Sequence, residues 1–85
     1  MANAVSLEEV RVFLRIDHGE SDEILTVLLE AASARVEALT SEREDWPAPL
    51  RLAVLALVAR SFDDGVPADM ALVAPLIAPW RTVRL

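Results

Sequence analysis

Residues 50–62 read LRLAVLALVARSF, and the rest of the chain must pack around them. At about 100° per residue no polar face appears. Leu50, Ala53, Val54 and Leu57 make one side, and Leu52, Leu55, Ala56, Ala59 and Phe62 make the other. Only Arg51, Arg60 and Ser61 interrupt them. A helix that is apolar all round is buried on every side or spans a membrane. Spanning takes about 20 apolar residues, and the unbroken run, residues 52–59, is far shorter. A buried strand is disfavoured because Leu and Ala dominate and β-branched residues are few. Pro49 suits a first helical position, while Asp63, Asp64 and Gly65 supply a stop. The stretch reads as a buried central helix about 20 Å long.

A chain of 85 residues makes one domain. So small a domain buries only about 60% of the surface that it exposes unfolded. Either the other helices wrap the central one completely, or a second copy of the chain helps. Cysteine is absent, which removes disulfides, thiolate metal sites and thiol nucleophiles. His18 is the single histidine, so paired-histidine metal sites are excluded. No cofactor is expected. The opening MANAVSLEEV lacks a basic start followed by an apolar core, so a signal peptide is not expected and synthesis in the cytoplasm is. The net charge of −6 is uneven: residues 1–45 carry −7 and residues 46–85 carry +1. Broad nucleic-acid binding needs many Lys and Arg contacts to phosphate, and this balance argues against it.

Four helices are expected. The first, over 6–14, opens with Ser6 as cap and Glu9 closing a capping box. Leu7, Val10 and Leu14 share its inner face, with Phe13 beside them. Gly19 can take positive φ and Ser21 can cap the second helix, over 22–40. On that helix Leu25, Leu28, Leu29, Ala32, Val36 and Leu39 form the core face, and Glu23, Glu30 and Glu37 repeat at seven residues on the opposite side. Between the two lies a small-sided apolar face of Ile24, Val27, Ala31, Ala34 and Ala38. A monomer has little use for it, whereas a neighbouring helix can approach it closely. Trp46 reads as a loop tryptophan folded over the core. The third helix covers 49–63. A shorter fourth covers 67–77, with Met70, Val73 and Ile77 inward and Pro75 kinking or ending it. Residues 79–85 read as an extended apolar segment with two arginines, which separates a helical domain over 1–78 from a C-terminal docking segment.

Catalysis finds little support. His18 is read as a solvated loop histidine, and Asp63 and Asp64 as a helix end without an acid–base partner near in sequence. With only Gly19 and Gly65 there is no Gly-rich phosphate loop. A recognition helix would not carry Glu23, Glu30 and Glu37 toward phosphates. The expectation is no enzyme, no metal and no membrane.

The order of these pieces resembles the HK97-type phage head–tail connector (adaptor) proteins. The carrying residues are Leu7, Glu8, Glu9 and Val10, then Leu14 to Asp17 as LRID, then the acidic Glu20, Ser21, Asp22 and Glu23. They continue with Leu28, Leu29, Glu30, Ala31, Ala32 and Val36, and with Pro49 and Leu50 leading into AVLALVA and Phe62. Pro67 and the closing Ala78, Pro79, Trp80 and Arg81 complete them, so the resemblance runs over residues 6–81. The short link after Phe62 and the extra Pro75 depart from the family pattern.

The resemblance implies a helical subunit of a dodecameric ring beneath the portal protein of a tailed phage or of a phage-like gene transfer agent. Such a ring lies at the head–tail junction of the particle and meets a stopper or tail-completion protein below. DNA passes through it without specific binding. Within that reading the face of Ile24, Val27, Ala31, Ala34 and Ala38 is the candidate subunit contact. Trp80, Arg81, Val83, Arg84 and Leu85 are candidates for docking to the portal or a neighbour, or else they fold back on their own subunit. Glu23, Glu30 and Glu37 either line the channel or form a solvated face. The alternative function is a small helical regulatory module, antitoxin-like, that binds one protein as a dimer.

Overall fold

Ser6 starts the first helix, α1 (Leu7–Leu14), in a computed structural model that describes residues 5–16, 22–40 and 46–80. Its Oγ accepts the Glu9 N–H at 3.1 Å, and Glu9 Oε1 accepts the Ser6 N–H at 2.8 Å, which is the expected capping box. α1 ends at Arg15, whose φ of 62° lies in the left-handed region. The Ile16 N–H then reaches Arg11 O at 2.9 Å and the Arg15 N–H reaches Val12 O at 3.1 Å. This is the paired bonding of a Schellman stop, built on an arginine where glycine is usual. The residues expected to end this helix and start the next, Gly19 and Ser21, lie outside the described residues, as does His18.

The second helix, α2 (Asp22–Thr40), matches its expected bounds. Arg11 Nη1 donates to Asp22 Oδ1 at 2.9 Å and ties α1 to its first turn. Leu25, Leu29, Ala32, Ser33, Val36 and Thr40 are buried, while Leu28 and Leu39 are only half-buried. The core face is therefore rotated toward Ser33 and Thr40 from the stripe that apolarity alone suggests. Small side chains let neighbouring helices come close, and Thr40 Oγ1 donates to Val36 O at 2.8 Å, which satisfies its buried hydroxyl.

The third helix, α3 (Ala48–Asp64), follows Pro47 and carries Pro49 in its first turn. It ends at Gly65, with φ 76° and its N–H on Ser61 O at 2.9 Å. Ser61 Oγ accepts the Ala68 N–H at 3.1 Å and holds the exit loop against the helix. Leu50, Ala53, Val54, Leu57, Val58 and Ser61 are buried. The other side is not: Leu52 is 43% exposed, and Leu55, Ala56, Ala59 and Phe62 are half-buried. Of the two alternatives, complete wrapping by the other helices is not what the described residues show. The molecule is 17 Å across its shortest axis. Packed helices lie about 8–10 Å apart, so there is room for two layers and none for a third.

The fourth helix, expected over 67–77 with Pro75 kinking or ending it, is in pieces, and the break falls at Val73, two residues before Pro75. Asp69 Oδ1 accepts the Ala71 N–H at 2.9 Å and starts a 3-10 turn, Met70–Leu72. Val73 breaks it, with φ −112° and ψ 5°. A short α4 (Ala74–Ile77) and a second 3-10 turn, Ala78–Trp80, follow. Pro75 has no N–H to donate to the carbonyl of Ala71, so no helix runs through; near the start of α4 that missing donor costs little. Val73 and Ile77 are buried as expected. Trp46 and Trp80 are half-buried against the core, Trp80 within its 3-10 turn.

The described chain is thus an all-α bundle with four α-helices and no strand among the described residues. One apolar core joins α2 and α3, the pair in most extensive contact, with Val5, Val10, Ala68, Val73 and Ile77 closing its ends.

Candidate subunit interface

The two-layer packing leaves α2 with an outer face directly across the helix from Leu25, Leu29, Ala32 and Val36. Ile24 and Val27 stand there 58% and 63% exposed, and Ala31, Ala34 and Ala38 are exposed with them. All five residues expected as a subunit contact therefore lie free on one face of the single chain. Glu23 and Glu30 are exposed and Glu37 is half-buried. The acidic row runs along the flank of the apolar face; the small apolar residues, rather than the acids, lie most directly opposite the core.

One edge of this face opens into a groove of about 570 Å³ between α2 and the C-terminal end of α3. Ile24, Leu28, Ala31, Phe62 and Val66 line it, and Arg35 lies at its side, half-buried and without an ion pair among the described residues. An apolar groove with one cation suits an apolar protein segment that carries an acid.

A second exposed apolar surface was not expected from the sequence. On α1, Val12 is 72% and Phe13 44% exposed, and they share a shallow depression with Leu55 of α3. Leu52 lies exposed on the same side of α3 as Leu55. Phe13 reads from sequence as lying beside the inner face, and α1 is held with Val10 inward and Phe13 outside. Glu9 accepts from the Arg51 guanidinium, which docks α1 on α3. The signal available in sequence was Val12, which lies off the stripe of Leu7, Val10 and Leu14.

The electrostatics are those of a surface. Glu9 is held below its ordinary value, chiefly by the hydrogen bond from the Ser6 N–H. Desolvation opposes this shift, and the Arg51 charge adds to it. Asp64 pairs with Arg60 at 2.9 Å, a solvated pair one helical turn apart. No cluster that would hold a metal ion occurs among the described residues. None of their helices is long and apolar enough to cross a membrane. Of the C-terminal candidates, Trp80 packs on the core, and Arg81, Val83, Arg84 and Leu85 lie outside the described residues.

A family model described as phage gp6-like head-tail connector protein matches residues 4–67. The chain belongs to this family. The matched span takes in α1, α2, α3 and the exit loop to Pro67, and so contains both apolar faces of the connector. It stops short of the 3-10 turns and α4, so likeness over residues 68–81 rests on the sequence resemblance alone. No curated protein and no solved structure matched the connector. Its role is that of a phage structural connector, in a family of structural proteins rather than enzymes.

Proposed function

We propose that this connector is the subunit of a ring, twelve-fold as in the proteins it resembles, placed below the portal of a tailed phage or gene transfer agent. The ring extends the DNA channel toward a stopper or tail-completion protein. The observation that carries this reading is the apolar outer face of α2. Ile24, Val27, Ala31, Ala34 and Ala38 are exposed on it, and a helix of a neighbour fits against small side chains. The row of Glu23, Glu30 and Glu37 beside the contact turns toward the channel, where like charge keeps the duplex from sticking. Beyond Trp80, residues 81–85 dock on the portal or on an adjacent subunit, with Arg81 and Arg84 as charged anchors and Val83 and Leu85 as apolar ones.

The test is electron microscopy of particles made with wild-type or Ala34→Glu connector. Wild-type particles show density for a connector ring under the portal, and the variant particles lack it although the free subunit melts as wild type does. A ring assembled from the variant removes the α2 face from the contact. Absence of the protein from wild-type particles, with a dimer recovered on a single soluble partner, establishes the regulatory alternative instead.

A further inference from the structure

Each long helix presents an apolar face away from the core, and the two faces differ in shape. α2 and α3 turn their buried stripes into the same core, and Phe62 and Leu55, seven residues apart on α3, line the groove beside α2 and the depression beside α1 respectively. The α2 face carries three alanines beside Ile24 and Val27, and a groove runs along one edge. The α1–α3 face carries the larger side chains Val12, Phe13, Leu52 and Leu55.

A contact confined to the two α2 faces pairs two copies and leaves Val12 and Phe13 of both exposed. Large exposed apolar patches are rare on isolated soluble domains and mark interaction sites. A head-to-tail contact covers both kinds of face on every copy, and only a closed ring leaves none over.

One pair of charges matches the same arrangement, on the flank of the α2 face that carries Arg35 and not on the flank of Glu23, Glu30 and Glu37. Arg35 lies at the groove beside the α2 face, half-buried, with no ion pair among the described residues. Glu8 is exposed at the depression shared by Val12, Phe13 and Leu55, and it too has no ion pair among the described residues. Among the described residues, one apolar concavity carries a cation and the other an anion that belong to no ion pair. Covering either alone strands a charge, whereas covering one with the other pairs them.

We propose that the α1–α3 face, centred on Phe13 and Leu52, is the surface on which the α2 outer face of the next copy seats, with Glu8 of one copy meeting Arg35 of the other. The occupant is thus a second copy of this chain, bound head to tail. The inference rests on the ring reading above and names the counter-surface that reading lacks.

The test uses the full chain in two settings. In assembled particles, Val12 and Ala34 are both replaced by Cys, in a sequence that has no cysteine of its own, and bridged with a short bifunctional thiol reagent. A ladder of covalent oligomers beyond the dimer is expected from the double variant and none from either single variant. Dimers from Ala34→Cys alone, or no bridging in particles that contain the protein, overturn the proposal.

In solution, Phe13→Asp and Ala34→Glu are each expected to stay monomeric in sedimentation velocity. Their mixture forms one-to-one dimers that grow no further, because one good pair of faces remains. Oligomers of Phe13→Asp alone overturn the proposal, as does a mixture that remains monomeric where wild type associates. In the same assay Glu8→Arg and Arg35→Glu each weaken association about tenfold, and the chain carrying both regains it. Failure of the double exchange to restore association also overturns it. The ring reading is distinguished by location: a ladder in purified protein that is missing from particles keeps the head-to-tail contact and removes the connector ring.

Discussion

α2 and α3 are both long helices that bury one stripe in a shared core, but their outer sides were made differently. α2 backs its core with alanines and a flanking row of acids, so its wheel announces an inside and an outside. α3 backs its core with Leu52, Leu55, Ala56, Ala59 and Phe62, so its wheel announces only an inside. The packing nevertheless treats them alike, with one face in and one face out. Apolarity all round is thus a statement about what a helix must finally be covered by, and in an 85-residue chain that cover need not come from the same subunit.

The contrast between faces is broken first by charge. Leu57 is 1% exposed and Leu52 is 43% exposed on the same helix. Leu57→Asp is expected to consume most or all of a total stability of roughly 4–13 kcal/mol. Leu52→Asp is expected to cost no more than about 1 kcal/mol in the free subunit. Thermal melts followed by circular dichroism measure both, and equal losses would mean that α3 has no outer face. The same comparison on α2 is gentler. Val36→Ala removes a fully buried side chain and is expected to cost about 2 kcal/mol. Val27→Ala, on the outer face, stays within about 0.5 kcal/mol.

A third test concerns the joint between α1 and the outer surface. Arg15 holds a left-handed φ of 62° that an arginine adopts at a cost of about 1–2 kcal/mol. Arg15→Gly is expected to stabilise the free subunit by about 1 kcal/mol, which raises the melting temperature by roughly 4–8 °C for a domain of this size. A lower melting temperature would show that the arginine side chain contributes more than its backbone costs.

The smallest effect is that of pH on the α1–α3 contact. Glu9 is held below its ordinary value of 4.5 by the Ser6 N–H first, against desolvation and with help from Arg51. A carboxylate whose folded value is depressed adds stability that is complete above its unfolded value and is lost as pH falls through the lower folded one. The loss therefore begins near pH 4.5 and continues below it. Its size is modest because the Glu9 side chain is 43% exposed. Glu9→Gln should flatten this part of the acid limb in melts between pH 5 and about 3; an unchanged limb would detach Glu9 from the docking of α1.

The parts legible in sequence were those set by local chemistry. Ser6 and Glu9 announce a capping box through spacing alone, Gly65 a stop through its freedom at positive φ, and Pro75 a break through its missing N–H. The face of Ile24, Val27, Ala31, Ala34 and Ala38 was visible because helical periodicity separates it from the leucines of the core. Three features were not legible. Arg15 in a left-handed cap goes against its own preference and is held by the bonds of Ile16 and Arg15 to the preceding turn. Ser33 and Thr40 are in the core because helices approach there, which no hydropathy pattern encodes. Phe13 and Val12 are outside because Glu9 and Arg51, far apart in the chain, fix the rotation of α1 on α3.

By itself the sequence determined the extent of the first three helices, the stop at Gly65 and the family resemblance, since capping, periodicity and residue order act within a few turns of chain. Only the tertiary structure decided which side of α3 is left for a neighbour. That choice depends on how many layers of helix 85 residues can stack and on the angle at which α1 is pinned, and both are sums over contacts between residues distant in sequence.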